Sequence, residues 1–257
     1  MLVRVRKEME TTVTIPGLAQ MKRDGRKIVG VVAWDCQIAR IADIAGADIV
    51  SAGDSVGVNL WGQAAETEVT MEEMLVVCSA VRRGVKGALV SCDLPFRAAQ
   101  AGTGAAVSAA LRLVTEGGAD MVKVSAAPET VRAIVRAGIS VFAEFHGGKE
   151  IPVEKLVEEA KRLEEAGAAL LDFRHSGPAA GAAVVRAVSI PAIGGLGGGP
   201  WLDGRMRMAH AAIGYAASNL ESNIETYANV AKIALDALSA YAEDVRAGRH
   251  LKGQRPA

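Results

Sequence analysis

Two aspartates stand where carboxylates can do chemistry. Asp54, in Gly53-Asp54-Ser55, follows the apolar run 48–51, and Asp93 follows the run 87–91. Both runs are short and rich in Val, Ile and Leu, so each aspartate is predicted at the C-terminal end of a buried strand. Two acids converging on one end of a sheet repel each other unless a cation or a proton lies between them. A hard divalent ion such as Mg²⁺ suits oxygen ligands from one or two carboxylates, completed by water and substrate. Asp35 and Asp172 also follow or close apolar runs and could join this set, though an aspartate there also serves as a helix N-cap or a salt-bridge partner. At other run ends stand Lys123 and Ser125, the segment Glu144-Phe145-His146, and the segment Arg174-His175-Ser176.

A scaffold must bring these ends together. Seven candidate strands cover 27–32, 48–51, 87–91, 120–124, 139–143, 168–173 and 190–194, with a weaker, Ala- and Met-rich eighth over 206–213. They do not alternate cleanly, as befits strands buried on both faces. Between them lie Ala-rich stretches with helical signals. Residues 36–45 end at Gly46, and Thr70-Met71-Glu72-Glu73 has capping-box spacing and opens a helix that ends at Gly84. The stretches 105–116, 128–137 and 152–166 each run into glycine. Seven or eight such β-then-α units predict a (β/α)8 TIM barrel, whose strand C-termini share one mouth. A doubly wound open sheet is the alternative, but no G-x-G-x-x-G follows the first strand. A long amphipathic helix is expected over 221–246, then a basic, frayed tail over 248–257. No linker or repeat divides the chain, so 1–257 reads as one barrel domain with an additional C-terminal helix.

Composition removes other classes. The chain of 257 residues carries 29 Lys+Arg and 29 Asp+Glu, so no net field draws it to nucleic acid or an anionic membrane. Cys36, Cys78 and Cys92 are odd in number and lack C-x-x-C spacing, which argues against disulfides and structural zinc. There is no apolar run of membrane-spanning length and no signal-like start, so a cytoplasmic protein is expected. Aromatics are only 4% of the chain, so the core must be aliphatic. Trp34, Trp61, Phe96, Phe142, Phe145, Phe173 and Trp201 fall near strand ends and are expected to wall the mouth.

The same segments carry a family resemblance. Gly53-Asp54-Ser55-Val56-Gly57, Glu68-Val69-Thr70 and Asp93-Leu94-Pro95-Phe96 resemble the ketopantoate hydroxymethyltransferases, within the phosphoenolpyruvate mutase/isocitrate lyase superfamily. Gly117-Gly118-Ala119-Asp120-Met121-Val122-Lys123, Ile190-Pro191-Ala192-Ile193-Gly194 and Asp203-Gly204-Arg205 with His210 extend the likeness along the chain. The resemblance implies a (β/α)8 barrel with Asp54, Ser55 and Asp93 around Mg²⁺. A 2-oxo acid would chelate that ion, and Lys123 would help hold it. Chelation would stabilise an enolate, whose carbon attacks an aldehyde or another one-carbon donor, with tetrahydrofolate as a candidate carrier. It also implies a homo-oligomer.

Departures from the family pattern fall at the proton-transfer end. Ser125 stands where the family has a metal-shell Glu, Glu144 where it has a strand-five His, and Arg174 where it has a strand-six Glu base. The glycine-rich segment after strand five is reduced to 146–150. Arginine stays protonated and cannot replace a carboxylate base. Glu144, His146 and His175 are the candidate bases, histidine having the most suitable ordinary pKa. Glu144 is alternatively an ion-pair partner of Arg174, which would also grip a substrate carboxylate or phosphate. The prediction is a Mg²⁺-dependent aldolase-type transferase on a 2-oxo acid outside the pantothenate pathway. The alternatives are a lyase or mutase of the superfamily and a non-catalytic homologue.

Overall fold

The structure is a computed structural model and describes residues 12–125, 127–148, 150–195 and 197–253. Eight parallel strands close into a barrel in sequence order. They are β1 (Ile28–Ala33), β2 (Ile49–Ala52), β3 (Leu89–Asp93), β4 (Met121–Val124), β5 (Val141–His146), β6 (Leu170–Arg174), β7 (Ala192–Gly194) and β8 (Gly204–Met208). The helices are α1 (Ile15–Arg23), α2 (Cys36–Ile44), α3 (Val56–Asn59), α4 (Met71–Gly84), α5 (Phe96–Gln100), α6 (Thr103–Thr115), α7 (Pro128–Arg136), α8 (Val153–Glu165) and α9 (Pro178–Ala187). Beyond the last strand follow α10 (Ala209–Ile213) and α11 (Val230–Arg246). The predicted TIM barrel is therefore the observed fold.

Local rules explain the elements. Asp35 accepts from the Gln37 and Ile38 amides and so N-caps α2, the structural role open to it in the sequence. Thr70 and Glu73 form the reciprocal capping box that starts α4. Gly84 lies against α2, where a Cβ would meet the Cys36 carbonyl and stand 2.9 Å from the Arg40 nitrogen. Its glycine thus lets two helices approach closely.

The chain clusters into two units, Met1–Arg207 and Met208–Ala257. The eighth strand also begins and ends earlier than 206–213. Gly204 opens it because a Cβ there would strike the Ile28 carbonyl, and Ala209–Ile213 turns into helix up to the left-handed Gly214. The C-terminal helix starts at Val230, not at residue 221. Ser222 and Thr226 bond to nearby backbone, the Ser222 hydroxyl accepting from the Ile224 amide and Thr226 donating to the Ala228 carbonyl. Such local bonds compete with helix, and Asn229 then caps the Lys232 amide. Of the predicted tail, residues 254–257 lie outside the described residues.

Strand alternation builds the barrel interior in layers. Ile28, Ile49, Leu89, Met121, Phe142, Leu170, Ile193 and Met206 fill its lower end, sealed by Leu18 and Met21 of α1. Two residues higher, the Ser51 and Ser91 hydroxyls bond at 2.7 Å. The next positions along the same alternation are Asp93, Lys123, Glu144 and Asp172, with His146 and Arg174 above. The aromatics do not wall the mouth as a group. Phe142 belongs to the lower layer, and Phe145 and Phe173 stack on each other, buried, with centroids 4.3 Å apart. Their positions follow the alternation: residues 145 and 173 are out of phase with the inward 144 and 172.

Candidate active site

Lys123 is the hub of the mouth. Its ammonium lies 2.7 Å from Glu144 Oε2, 3.1 Å from Asp172 Oδ2 and 3.8 Å from Asp93 Oδ2. Burial works against its charge, but Asp93, Asp172 and Glu144 outweigh that and raise its pKa above the usual lysine range. Asp172 is 2% exposed and fixed on its other side, where Oδ1 accepts from the Gly195 amide at 3.2 Å. That amide, in the glycine-rich segment after β7, is thus engaged within the barrel. Leu196 of the same segment lies outside the described residues.

Glu144 links this hub to the rim. Its Oε1 accepts from Arg174 Nη1 at 3.2 Å and lies 3.0 Å from His146 Nε2. Burial alone would raise its carboxyl, but Lys123, Arg174 and His146 draw it down to about 2. Glu144 is therefore an ionised anchor, not a group poised to take a proton near neutrality. Its pKa is depressed on folding, so its stabilisation is complete above its ordinary value of 4.5 and lost as the pH falls towards 2. A Glu144→Gln protein is expected to be less stable than wild type at neutral pH, with the gap narrowing below about pH 4. Urea unfolding across that range checks this, and a gap independent of pH would refute it.

Asp54, half-buried, follows β2, and Asp93 ends the neighbouring β3. Burial raises both carboxyls. Lys123 opposes this at each, and the Asp54 charge adds to the rise at Asp93. A Cβ on Gly53 would stand 2.8 Å from Val32 Cγ1, 3.0 Å from Ser55 Oγ and 3.6 Å from Asp93 Oδ2. Glycine thus leaves a cradle bordered by those two oxygens. Asp93 Oδ1 is buried and accepts no hydrogen bond among the described residues. Around this point four carboxylates, Asp54, Asp93, Glu144 and Asp172, face two cations, Lys123 and Arg174. One divalent cation would balance that excess, and an all-oxygen set suits a hard ion. The residues present therefore fit Mg²⁺. No cluster of three or more His, Cys, Asp or Glu with metal-site geometry occurs among the described residues, which leaves two aspartates with substrate and water as the available set.

The remaining candidates sort by position. His146 sits at the rim with its side chain 49% exposed. His175 is exposed and left-handed, with φ 52, and its ring lies 6.4 Å from that of His146. Non-glycine residues adopt that backbone rarely, and a Cβ on Gly197 would come within 2.8 Å of His175 Nδ1. Ser125 is exposed beyond the end of β4. Asp203 of the Asp203-Gly204-Arg205 motif is structural, pairing with Lys22 at 3.0 Å and accepting from the Ala192 amide.

Two participants have an ambiguous or weak signal in the sequence. Asp172 reads in the sequence as a cap or a salt-bridge partner, and only barrel closure sets it against Lys123. Glu66, in the 3-10 turn 66–68 of the connection between β2 and α4, has its carboxyl raised by partial desolvation and then by Asp54, with Arg174 opposing. Its signal was the Glu66-Thr67-Glu68 pair of acids inside a loop leading from Asp54.

The family model described as Ketopantoate hydroxymethyltransferase matches residues 12–251. The chain belongs to the ketopantoate hydroxymethyltransferase family. It is 36% identical over 255 residues to a 3-methyl-2-oxobutanoate hydroxymethyltransferase of Moorella thermoacetica, covering 92% of this chain and 94% of the relative. It is 32% identical over 256 residues to the enzyme of that name from Thermoanaerobacter sp. (strain X514), with 93% of each covered. Among solved structures it is similar in fold to 2,3-dimethylmalate lyase, a PEP mutase/isocitrate lyase superfamily member, with TM-score 0.63, 15% identity, and 96% of this chain and 100% of that one covered. A phosphonopyruvate hydrolase solved with oxalate and Mg²⁺ gives TM-score 0.59 at 15% identity, with 95% and 91% covered. At those identities the likeness is one of fold.

Proposed function

We propose that this protein is a Mg²⁺-dependent aldolase-type hydroxymethyltransferase, or a related aldehyde-adding enzyme, acting on the enolate of a 2-oxo acid. The observation that carries the reading is the mouth's excess of carboxylate around a cradle where Asp93 Oδ1 is buried without a hydrogen bond. Asp54 and Asp93 would hold the ion, with Ser55 beside them, and the bound ion supplies positive charge that polarises the 2-oxo group and stabilises the enolate. The fold neighbour solved with oxalate and Mg²⁺ supports this choice of cation. Arg174, at the rim, suits the substrate carboxylate.

The chain's own groups assign the proton. Glu144 stays ionised, so it accepts the hydrogen of His146 Nε2 and leaves Nδ1 with a free lone pair. His146 then takes the proton from C3 of the 2-oxo acid and returns it to the new alkoxide, with Glu144 holding the ring. This base differs from the carboxylate implied by the family resemblance, which motivates a substrate other than that of the relatives.

Mass spectrometry of reactions with Mg²⁺, a panel of 2-oxo acids, and either formaldehyde or methylenetetrahydrofolate tests the reading. A hydroxymethylated product from an acid other than 3-methyl-2-oxobutanoate is expected. Product from 3-methyl-2-oxobutanoate alone would refute the altered substrate. Release of pyruvate from a larger acid would instead support the lyase reading that Arg174 makes available for an anionic fragment.

A further inference from the structure

Beyond Glu144 the mouth opens into a cavity of about 500 Å³, large enough for a small ligand. Its polar lining is Gln100 at the end of α5, Ser125 after β4, Thr130 on α7, Glu144 on β5 and Glu159 on α8. Among the described residues no lysine, arginine or histidine lines it. Thr130 is buried, with its hydroxyl 3.4 Å from that of Thr103. Glu159 is half-buried and forms no hydrogen bond or ion pair with a described residue. Glu144 is already paired with Lys123, Arg174 and His146, so Glu159 is the lining carboxylate with no described donor, beside the amide of Gln100 and the hydroxyls of Ser125 and Thr130. An anion would meet the uncompensated Glu159, and an apolar chain would leave its oxygens and the hydroxyls of Ser125 and Thr130 without a partner from the ligand, at a cost in free energy. A neutral chain bearing hydroxyls satisfies both constraints.

The cavity's place suggests which reactant enters it. It shares Glu144 with the site and extends over β4, β5, α7 and α8, whereas Asp54 and Asp93 close β2 and β3. The acid end of the 2-oxo acid is taken up at those aspartates, so the second reactant is left to extend past Glu144. We propose that this cavity is a subsite for the hydroxylated chain of an aldehyde, so that the protein joins a 2-oxo acid to a short hydroxyaldehyde. In the step, the C3–H bond breaks with its proton passing to His146. C3 then bonds to the aldehyde carbon, and the former carbonyl oxygen takes that proton. No oxidant or reductant is consumed. The inference rests on the enolate reading above.

The experiment uses the Mg²⁺-loaded protein, a 2-oxo acid, and glyceraldehyde, propanal or glyoxylate. Glyceraldehyde is expected to exceed propanal by about tenfold or more in kcat/KM, with the anionic glyoxylate the poorest. Glu159→Leu and, as a milder variant, Thr130→Val should bring the glyceraldehyde-to-propanal ratio towards one. Saturation-transfer NMR of glyceraldehyde on the loaded protein reads the same subsite without turnover, and its signal should fall in both variants. Deuterium exchange at C3 without any aldehyde reports the enolate step separately. Exchange with no preference for glyceraldehyde, or a preference unmoved by either variant, overturns the subsite alone. Absence of both exchange and saturation transfer overturns the subsite together with the reading beneath it.

Discussion

Lys123→Met is expected to destabilise the protein by about 3–5 kcal/mol at neutral pH, the usual cost of removing one partner from a buried charge cluster. The substitution nearly conserves volume, so the loss is electrostatic rather than a cavity effect. It removes the cation facing Asp93 and Asp172, whose side chains are 15% and 3% exposed, and leaves Glu144 with only Arg174 and His146 at the rim. Mg²⁺ should recover part of the loss, because another cation then enters the same field. Denaturant unfolding with and without Mg²⁺ measures both effects. A loss under about 1 kcal/mol would place these pairs with ordinary surface salt bridges and contradict the hub.

His146→Gln is expected to lower the rate of proton removal from C3 by about 10²–10⁴-fold, the span typical of a lost general base. Its side chain is 49% exposed, so stability should change little. Glutamine can still donate to Glu144 and keeps the local geometry, which isolates the proton transfer. A rate within about threefold of wild type would exclude His146 as base and direct attention to His175 or Glu66.

Much of this arrangement is legible in the residues. The β-then-α rhythm, the capping box at Thr70 and the glycine stops specify a barrel because each is a local signal with a local cause. The aspartates of Gly53-Asp54-Ser55 and Asp93-Leu94-Pro95-Phe96 stand out because a polar residue ends an apolar run. Asp172 stays open there between ligand, cap and ion-pair partner and Glu66 does not stand out, since their partners lie on other strands and loops and the contact exists only after closure. Strand phase explains the aromatics too. β5 runs three residues past the predicted end at 143 and β6 one past 173, so Phe145 and Phe173 fall in the packed layer while Glu144 and Arg174 turn inward. The start of α11 depended on competition from Ser222 and Thr226, which helical spacing alone does not reveal.

The central claim is that Asp54 and Asp93 hold a divalent ion under which a 2-oxo acid loses a C3 proton. Its most direct test is NMR-detected deuterium incorporation at C3, across a panel of 2-oxo acids, with no aldehyde present. The expected result is exchange that requires Mg²⁺, stops on chelation, and is abolished in Asp93→Asn. Exchange that persists after chelation and in Asp93→Asn, or none with any acid, would contradict the account.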